Sequence, residues 1–210
     1  MRFNFFCLLL LCPVLASAAW SGVAFELSDT EAEWNFDSVV LDARSTELSF
    51  RIEEKTESGL RVGASIGHFN LRLDGEASAE NSNFDGQFLS INLRQPYYGE
   101  RFSGIAAMNY RFQTGSDDDA DNPSDIDWTE LEFRLGAGVT FSRIRFLPQL
   151  VHRVVDGDVD GRNGSDSFEL EEETGLVLRF DYLVDSSAIV RMEFFNSDRE
   201  GFLLSFAREL

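Results

Sequence analysis

Along nearly the whole chain, apolar and polar residues alternate one by one, and this alternation limits the possible folds more than any other feature. The clearest example lies between residues 131 and 141, where every second position is apolar: Leu131, Phe133, Leu135, Ala137, Val139 and Phe141. The positions between them hold Glu, Arg, Gly and Thr. Successive side chains of a β-strand point to opposite faces of the sheet, so the pattern predicts strands with one apolar and one polar face.

Ten segments of this kind follow one another, which predicts an all-β chain of antiparallel strands. Their predicted boundaries are 20–29, 44–54, 59–73, 86–95, 101–113, 128–141, 144–155, 168–183, 187–196 and 201–210. Short turns, such as 55–58 and 142–143, alternate along the chain with longer polar loops, which are predicted at 30–43, 74–85, 114–126 and 156–167. This asymmetry is typical of an up-and-down transmembrane β-barrel. Eight strands, with one or two segments not forming, are the alternative.

Residues 1–19 have the features of a secretory signal peptide. A positive residue, Arg2, precedes the almost entirely apolar run 5–15, and the small residues 16–19 provide a cleavage site. The apolar run is too short to cross a bilayer as a helix. The predicted organisation is therefore a removed signal peptide followed by one barrel domain, residues 20–210.

The composition is strongly acidic, with 18 basic and 37 acidic residues and a net charge of −19. Such a charge repels nucleic acid and anionic lipid headgroups, so neither is an expected partner. Lys55 is the only lysine. Arginine can bond a carboxylate through two parallel hydrogen bonds, so this bias suggests arginines that are placed to pair with acids. Both cysteines, Cys7 and Cys12, lie in the predicted signal peptide, so the mature domain would have no disulfide.

The polar faces of the predicted strands carry arginines and acids among small residues. A soluble β-sheet protein would expose this face to water, whereas a narrow membrane barrel must fill its interior with such side chains. Arginines and acids can fill a lumen while pairing with each other, as buried charges require. The predicted lumen charge network is Arg51, Arg61, Arg94, Arg111, Glu130, Glu132, Arg134, Arg145, Glu171, Glu173, Arg179, Arg191 and Glu193. Glu53 and Arg153 share these faces. A soluble periplasmic β-sheet binding protein is the alternative.

The last strand has apolar residues at alternate positions, namely Phe202, Leu204, Phe206 and Leu210. With the signal peptide and the alternating segments, it resembles the small outer-membrane β-barrel proteins of Gram-negative bacteria. In that class the last strand usually ends in Phe, and the barrel-assembly machinery reads this signal. Here Leu210 replaces Phe, and Arg208 interrupts the pattern. The resemblance implies insertion into the outer membrane by that machinery, in contact with its lipid, and we expect a monomer.

Asp156, Asp158 and Asp160 precede Gly161 with the spacing that opens a calcium-binding loop. The complete motif requires Glu at its twelfth position, where this chain has Ser167. The motif is therefore half present, and an acidic external loop without calcium is the alternative. No other cofactor is expected.

His68 and His152, the only histidines, lack the local partners of a hydrolase, and alternation places both on the lipid-facing side. We therefore expect no catalytic residues and no enzyme. The aromatic residues near predicted strand ends are expected to form interfacial girdles: Trp20, Trp34, Tyr97, Tyr98, Phe112, Trp128 and Phe141.

Together these features predict an integral outer-membrane barrel with acidic external loops and a charged, largely filled lumen. Its predicted role is structural, or binding through the loops. A narrow pore for small solutes is the alternative, although wide aqueous channels require larger barrels.

Overall fold

A computed structural model of the protein describes residues 21–36, 39–74, 82–117, 123–161, 164–196 and 199–210. The predicted signal peptide and Trp20 lie outside these residues. Within them, no helix is long and apolar enough to cross a membrane. The described chain consists of antiparallel strands and the turns that join them.

The described residues form eleven successive strands. They are β1 (Gly22–Phe36), β2 (Val39–Lys55), β3 (Arg61–Asp74), β4 (Ser82–Tyr98), β5 (Phe102–Asp117), β6 (Ser124–Phe141), β7 (Ile144–Gly161), β8 (Gly164–Leu170), β9 (Thr174–Leu183), β10 (Ala188–Asn196) and β11 (Glu200–Glu209). Several extend well into the segments predicted as long loops. The predicted loops 30–43 and 156–167 are largely strand, which corrects the sequence-based boundaries.

All strands belong to one sheet that closes on itself. Each strand from β1 to β7 pairs with the next, β7 continues to β9, β10 and β11, and β11 returns to β1. In the closing pair, Gly22 lies opposite Glu209 and Glu31 lies opposite Glu200. The protein is therefore a closed antiparallel barrel of ten strands, as the alternation predicted.

Ser21 and Leu210, the first and last described residues, are hydrogen-bonded to each other at one end of the barrel, which we call the terminal end. The turns between β2 and β3, β4 and β5, β6 and β7, and β9 and β10 lie there as well, and each is short. We call the opposite end the distal end.

β8 and β9 run along the same neighbour, β7, but their registers differ by one residue. Asp156 lies opposite Glu169 in β8, whereas His152 lies opposite Thr174 in β9. The chain breaks its strand conformation between them, at 171–173. One extra residue in a strand is a β-bulge, and it exchanges the faces to which the following side chains point. The prediction of one continuous strand, 168–183, is wrong at this point.

The number of strands falls from ten to eight at the distal end. The β10–β11 hairpin stops at Asn196 and Glu200, while β1 and β7 continue beyond it. There the end of β1 pairs directly with β8, and Trp34 lies opposite Leu170. A ring of β1 to β8 therefore closes the barrel above the last hairpin.

The outer face carries a band of exposed apolar side chains around the terminal and middle parts of the barrel. It includes Phe25, Leu48, Ile66, Leu89, Phe112, Leu135, Leu150, Leu178, Phe194 and Phe206. Leu135, for example, is 67% exposed although it lies in the middle of a strand. An exposed apolar belt of this extent is expected where a surface meets lipid.

Toward the distal end, the outer face of the barrel becomes polar and the inner face becomes apolar. On β3, the outward residues change from Val62 and Ile66 to Asn70 and Arg72, while the inward face ends in Leu71 and other buried apolar residues. Apolar side chains therefore cover the outer face in the terminal and middle parts of the barrel and fill the interior in the distal part. The alternation continues without interruption, which is why the sequence did not reveal the exchange.

Candidate functional site

The lumen of the barrel is the candidate functional site, because it contains most of the buried charge. It is filled in three layers along the barrel axis. The distal layer is apolar, and the other two are networks of arginines and acids. No group of three or more His, Cys, Asp or Glu residues in the described chain could hold a metal ion.

The distal layer, which we call the distal core, is a cluster of buried apolar side chains. It contains Trp34, Leu41, Ala43, Phe69, Leu71, Leu73, Phe84, Phe88, Ile126, Trp128, Val155, Phe168 and Leu170. The rings of Trp34 and Phe168 stack with centroids 4.6 Å apart, and Phe69 meets Trp128 edge-on at 4.9 Å. Strands from the whole distal ring except β5 contribute to this cluster. The interior of the distal end is therefore packed like the core of a soluble protein.

The distal core corrects the predicted position of two tryptophans. Trp34 and Trp128 are only 5% and 4% exposed, so they are core residues and not parts of an interfacial girdle. Tyr98 also faces the lumen, where the guanidinium of Arg145 lies 3.6 Å from its ring centroid. Tyr97 and Phe141, by contrast, are exposed on the outer face at the terminal end.

The middle layer, the middle ion cluster, consists of Glu47, Arg111, Glu130, Glu132, Arg134, Arg153, Glu193 and Arg199. Glu132 is its centre, with Arg134 at 2.5 Å and Arg199 at 2.8 Å. Arg134 also reaches Glu193 at 2.6 Å. Four arginines and four glutamates therefore balance each other across the barrel interior.

The third layer, the terminal ion cluster, consists of Glu26, Arg51, Glu53, Arg61, Arg94, Arg145, Arg179, Asp181, Arg191 and Glu209. Asp181, 1% exposed, pairs with Arg179 at 2.7 Å, Arg191 at 3.0 Å and Arg145 at 3.1 Å. Glu53 likewise has three arginine partners. Six arginines therefore share four acids in this layer.

Most of the predicted lumen network is brought together in these two clusters. They contain Arg51, Arg61, Arg94, Arg111, Glu130, Glu132, Arg134, Arg145, Arg179, Arg191 and Glu193. Glu171 and Glu173 are the exceptions, because both are exposed. They lie in the break between β8 and β9, where the extra residue ends the alternation from which their inward position was predicted.

Apart from Glu53 and Arg153, five members of the clusters were absent from the predicted network, and one of them, Glu209, lies at the end of β11. Glu47 and Asp181 alternate correctly with Arg51 and Arg179, so the sequence did contain the signal for them. Glu26 lies in β1 between Phe25 and Leu27, which point to the other face of the strand. Arg199 lies just before β11, where no alternation indicates its direction, and yet it is buried against the ring of Phe195 at 4.0 Å.

The three aspartates of the predicted calcium loop lie on β7 and point outward, where they are exposed. An extended strand separates alternate residues by roughly 6.6 Å, so their carboxylates do not converge as in a loop. Their cross-strand neighbours are also acidic. Asp158 lies opposite Asp127, and Asp156 lies opposite Glu169. The expectation of a loop at this position is therefore wrong.

Both histidines lie on the outer face, as the alternation predicted, close to surface carboxylates. His68 Nε2 is 3.8 Å from Asp85, and His152 Nε2 is 3.7 Å from Glu173. The residues of the predicted assembly signal also face outward on β11 or lie exposed at its end: Phe202, Leu204, Phe206 and Leu210.

No protein-family model matches the sequence, and the search of curated proteins gave no match. Solved structures do resemble the barrel. The translocator domain of the autotransporter NalP from Neisseria meningitidis has a TM-score of 0.51 and 12% sequence identity, over 98% of this chain and 94% of that chain.

Two further structures resemble the barrel less closely. The transport unit of the autotransporter AIDA-I from Escherichia coli has a TM-score of 0.48 at 10% identity, over 99% of this chain and 91% of that chain. An outer membrane channel from Pseudomonas putida F1 has a TM-score of 0.46 at 8% identity, over 92% of this chain and 97% of that chain. At such low identities the likeness concerns the fold alone. The chain therefore has the closed antiparallel fold of the outer-membrane β-barrels.

Proposed function

We propose that the protein is an integral outer-membrane barrel that conducts no solutes and supports an acidic surface outside the cell. The observation that carries this proposal is the filling of the lumen by three successive layers. A channel requires a continuous aqueous path, and the distal core interrupts it with close-packed apolar side chains. The predicted alternative, a narrow pore, has no comparable support.

Several features support a position in the outer membrane. The exposed apolar band needs lipid to cover it, and the fold is that of outer-membrane barrels. In this arrangement the terminal end, with its short turns, faces the periplasm, and β11 carries the signal for the assembly machinery. The distal ring then stands above the membrane.

The outer surface of the distal ring supports the second part of the proposal. Its strands β6, β7 and β8 present Asp125, Asp127, Asp156, Asp158 and Glu169 to the outside. Strands rather than long loops carry these charges, so the surface is rigid. Its role is structural, or it binds a partner through this face.

Conductance in planar lipid bilayers tests the absence of a pore. We expect the folded barrel to insert without producing channel steps at any applied voltage, because neither water nor ions can pass the distal core. A general porin added afterwards to the same membrane serves as the positive control. Reproducible steps from the barrel itself would overturn the proposal and favour the narrow pore.

Labelling of single cysteines on intact cells tests location and orientation. Asp158→Cys lies on the distal outer surface and should react with a membrane-impermeant maleimide. Asp185→Cys, the matched control, lies in the β9–β10 turn at the terminal end and should react only after the outer membrane is permeabilised. Equal labelling of both variants in the periplasmic extract would instead support a soluble periplasmic protein.

A further inference from the structure

An internal cavity of about 100 Å³ lies in the lumen between the two ion clusters. Six arginines and three glutamates line it, the arginines being Arg51, Arg94, Arg111, Arg134, Arg179 and Arg191. One water needs about 10–15 Å³ of such volume, so the cavity has room for several waters or a small hydrated ion.

Among the described residues, the charges of the two ion clusters that adjoin this cavity do not balance. The middle ion cluster is neutral, with four arginines and four glutamates. The terminal ion cluster has six arginines and four acids, which leaves two positive charges without a matching carboxylate. Uncompensated charge is costly away from bulk water, so this excess favours a bound anion.

Hydrogen-bond donors without partners point to the same place. Arg51 Nη2, Arg94 Nε, Arg111 Nε and Gln149 Nε2 are buried and have no hydrogen-bond partner, and all four side chains line the cavity. Gln149 is only 1% exposed. Two acceptors that line the cavity, Asn92 Oδ1 and Gln149 Oε1, also lack partners, so unpartnered donors outnumber unpartnered acceptors. Buried donors normally have acceptors, so a further acceptor is expected in this cavity.

A second cavity, of about 30 Å³, shares Arg51, Arg94 and Arg191 with the first and extends to Ser187 and Glu209 at the barrel mouth. The distal core blocks the opposite route. An ion would therefore enter from the terminal end, past the guanidinium groups that the two cavities share.

From this geometry we infer that the cavity between the ion clusters binds a small inorganic anion, of the size of chloride. Excess positive charge supplies the attraction, and the unpartnered donors of Arg94, Arg111 and Gln149 supply the ligands. This site does not depend on the absence of conductance, because an ion can bind at the end of a blocked path.

Bromide diffraction and thermal unfolding test the inference. Crystals of the folded barrel in bromide should show an anomalous peak inside the cavity. In detergent, the midpoint of thermal unfolding should rise when bromide replaces gluconate at constant ionic strength, because a ligand that binds only the folded state stabilises it. A cavity filled by water alone, with a midpoint that does not respond to bromide, would overturn the inference.

Substitution of Ala107 provides a matched pair of variants. Ala107 lines the cavity on β5 and lies opposite both Arg94 and Arg134 on the neighbouring strands. Ala107→Asp supplies a fixed carboxylate, so it should lose the bromide peak and the midpoint shift. Ala107→Asn has the same size without the charge, and it should keep both. Retention of bromide by Ala107→Asp would also overturn the inference.

Discussion

Asp181 is a single carboxylate that holds three guanidinium groups inside the barrel. Because Arg145, Arg179 and Arg191 all pair with it, a neutral side chain at this position leaves several buried cations without compensation. We expect Asp181→Asn to lower the free energy of unfolding by about 3–5 kcal/mol, measured by urea titration of the refolded barrel. Asp158→Asn, exposed on β7, is the control and should change it by less than about 0.5 kcal/mol. Equal losses would show that Asp181 is not a structural centre.

Gly138 allows β6 and β7 to approach each other closely. A Cβ atom at this position would lie 1.9 Å from the backbone oxygen of Phe146, which cannot move away as a flexible side chain can. Gly138→Ala should therefore lower the free energy of unfolding by about 1–3 kcal/mol. At Gly104, on the neighbouring strand, the nearest atom would be 3.6 Å away, so Gly104→Ala should be tolerated. If both variants unfold at the same urea concentration, this close approach is not required.

At the scale of single residues, the lumen was largely predictable because alternation depends only on strand geometry. Arg134 and Glu193 come from strands far apart in sequence, and each was expected inside from its own neighbours. Predictions were wrong where alternation is interrupted, as at Glu171. They were also wrong where the alternation continues but the inner face is apolar, as at Trp128. Alternation of apolar and polar residues distinguishes the two faces of a strand. It does not indicate which face meets lipid at a given position along the barrel axis.

Strand β6 runs from the apolar band into the distal ring, so its outward face carries apolar residues at one end and acidic residues at the other. Leu135 lies in the apolar band, whereas Asp127, eight residues earlier on the same face, lies beside Asp158 in the distal ring. We expect Leu135→Arg to lower the free energy of unfolding from lipid by about 2–4 kcal/mol. Asp127→Arg should raise it by about 0.2–1 kcal/mol, because an opposite-charge pair replaces a like-charge pair. If both substitutions changed the free energy of unfolding in the same direction, a boundary between lipid and water at this part of β6 would be contradicted.

The bulge at 171–173 shows why element boundaries were harder to predict than elements. One extra residue permits β8 to turn its apolar side chains into the distal core while β9 keeps Arg179 in the lumen. No turn-forming residue marks this position, since the segment is Glu-Glu-Glu. The pairing of β8 with β1 depends on contacts between distant parts of the chain, so local sequence contains no signal for it.

For the whole molecule, the distal core predicts that the barrel gains stability above the membrane as well as within it. Trp34→Ala removes a buried ring that stacks on Phe168, so we expect a loss of about 3–5 kcal/mol in the free energy of unfolding. Phe25 lies on the lipid-facing side, where lipid can fill the space that its ring leaves. Phe25→Ala should therefore lower the free energy of unfolding clearly less. A larger loss for Phe25→Ala would indicate that Trp34 belongs to an interfacial girdle after all.

The double partnership of β1 limits how the barrel wall can open. β1 pairs with β11 from Gly22 to Glu31 and with β8 from Trp34 to Phe36. If the first and last strands separated, the distal ring would remain closed, since β8 holds β1 independently of β11. In the orientation proposed above, the opening would be a slot of limited length, open toward the periplasm and the lipid but closed at its outer end. A side chain or lipid tail entering through this slot would reach the terminal ion cluster, while the medium outside the cell would stay excluded.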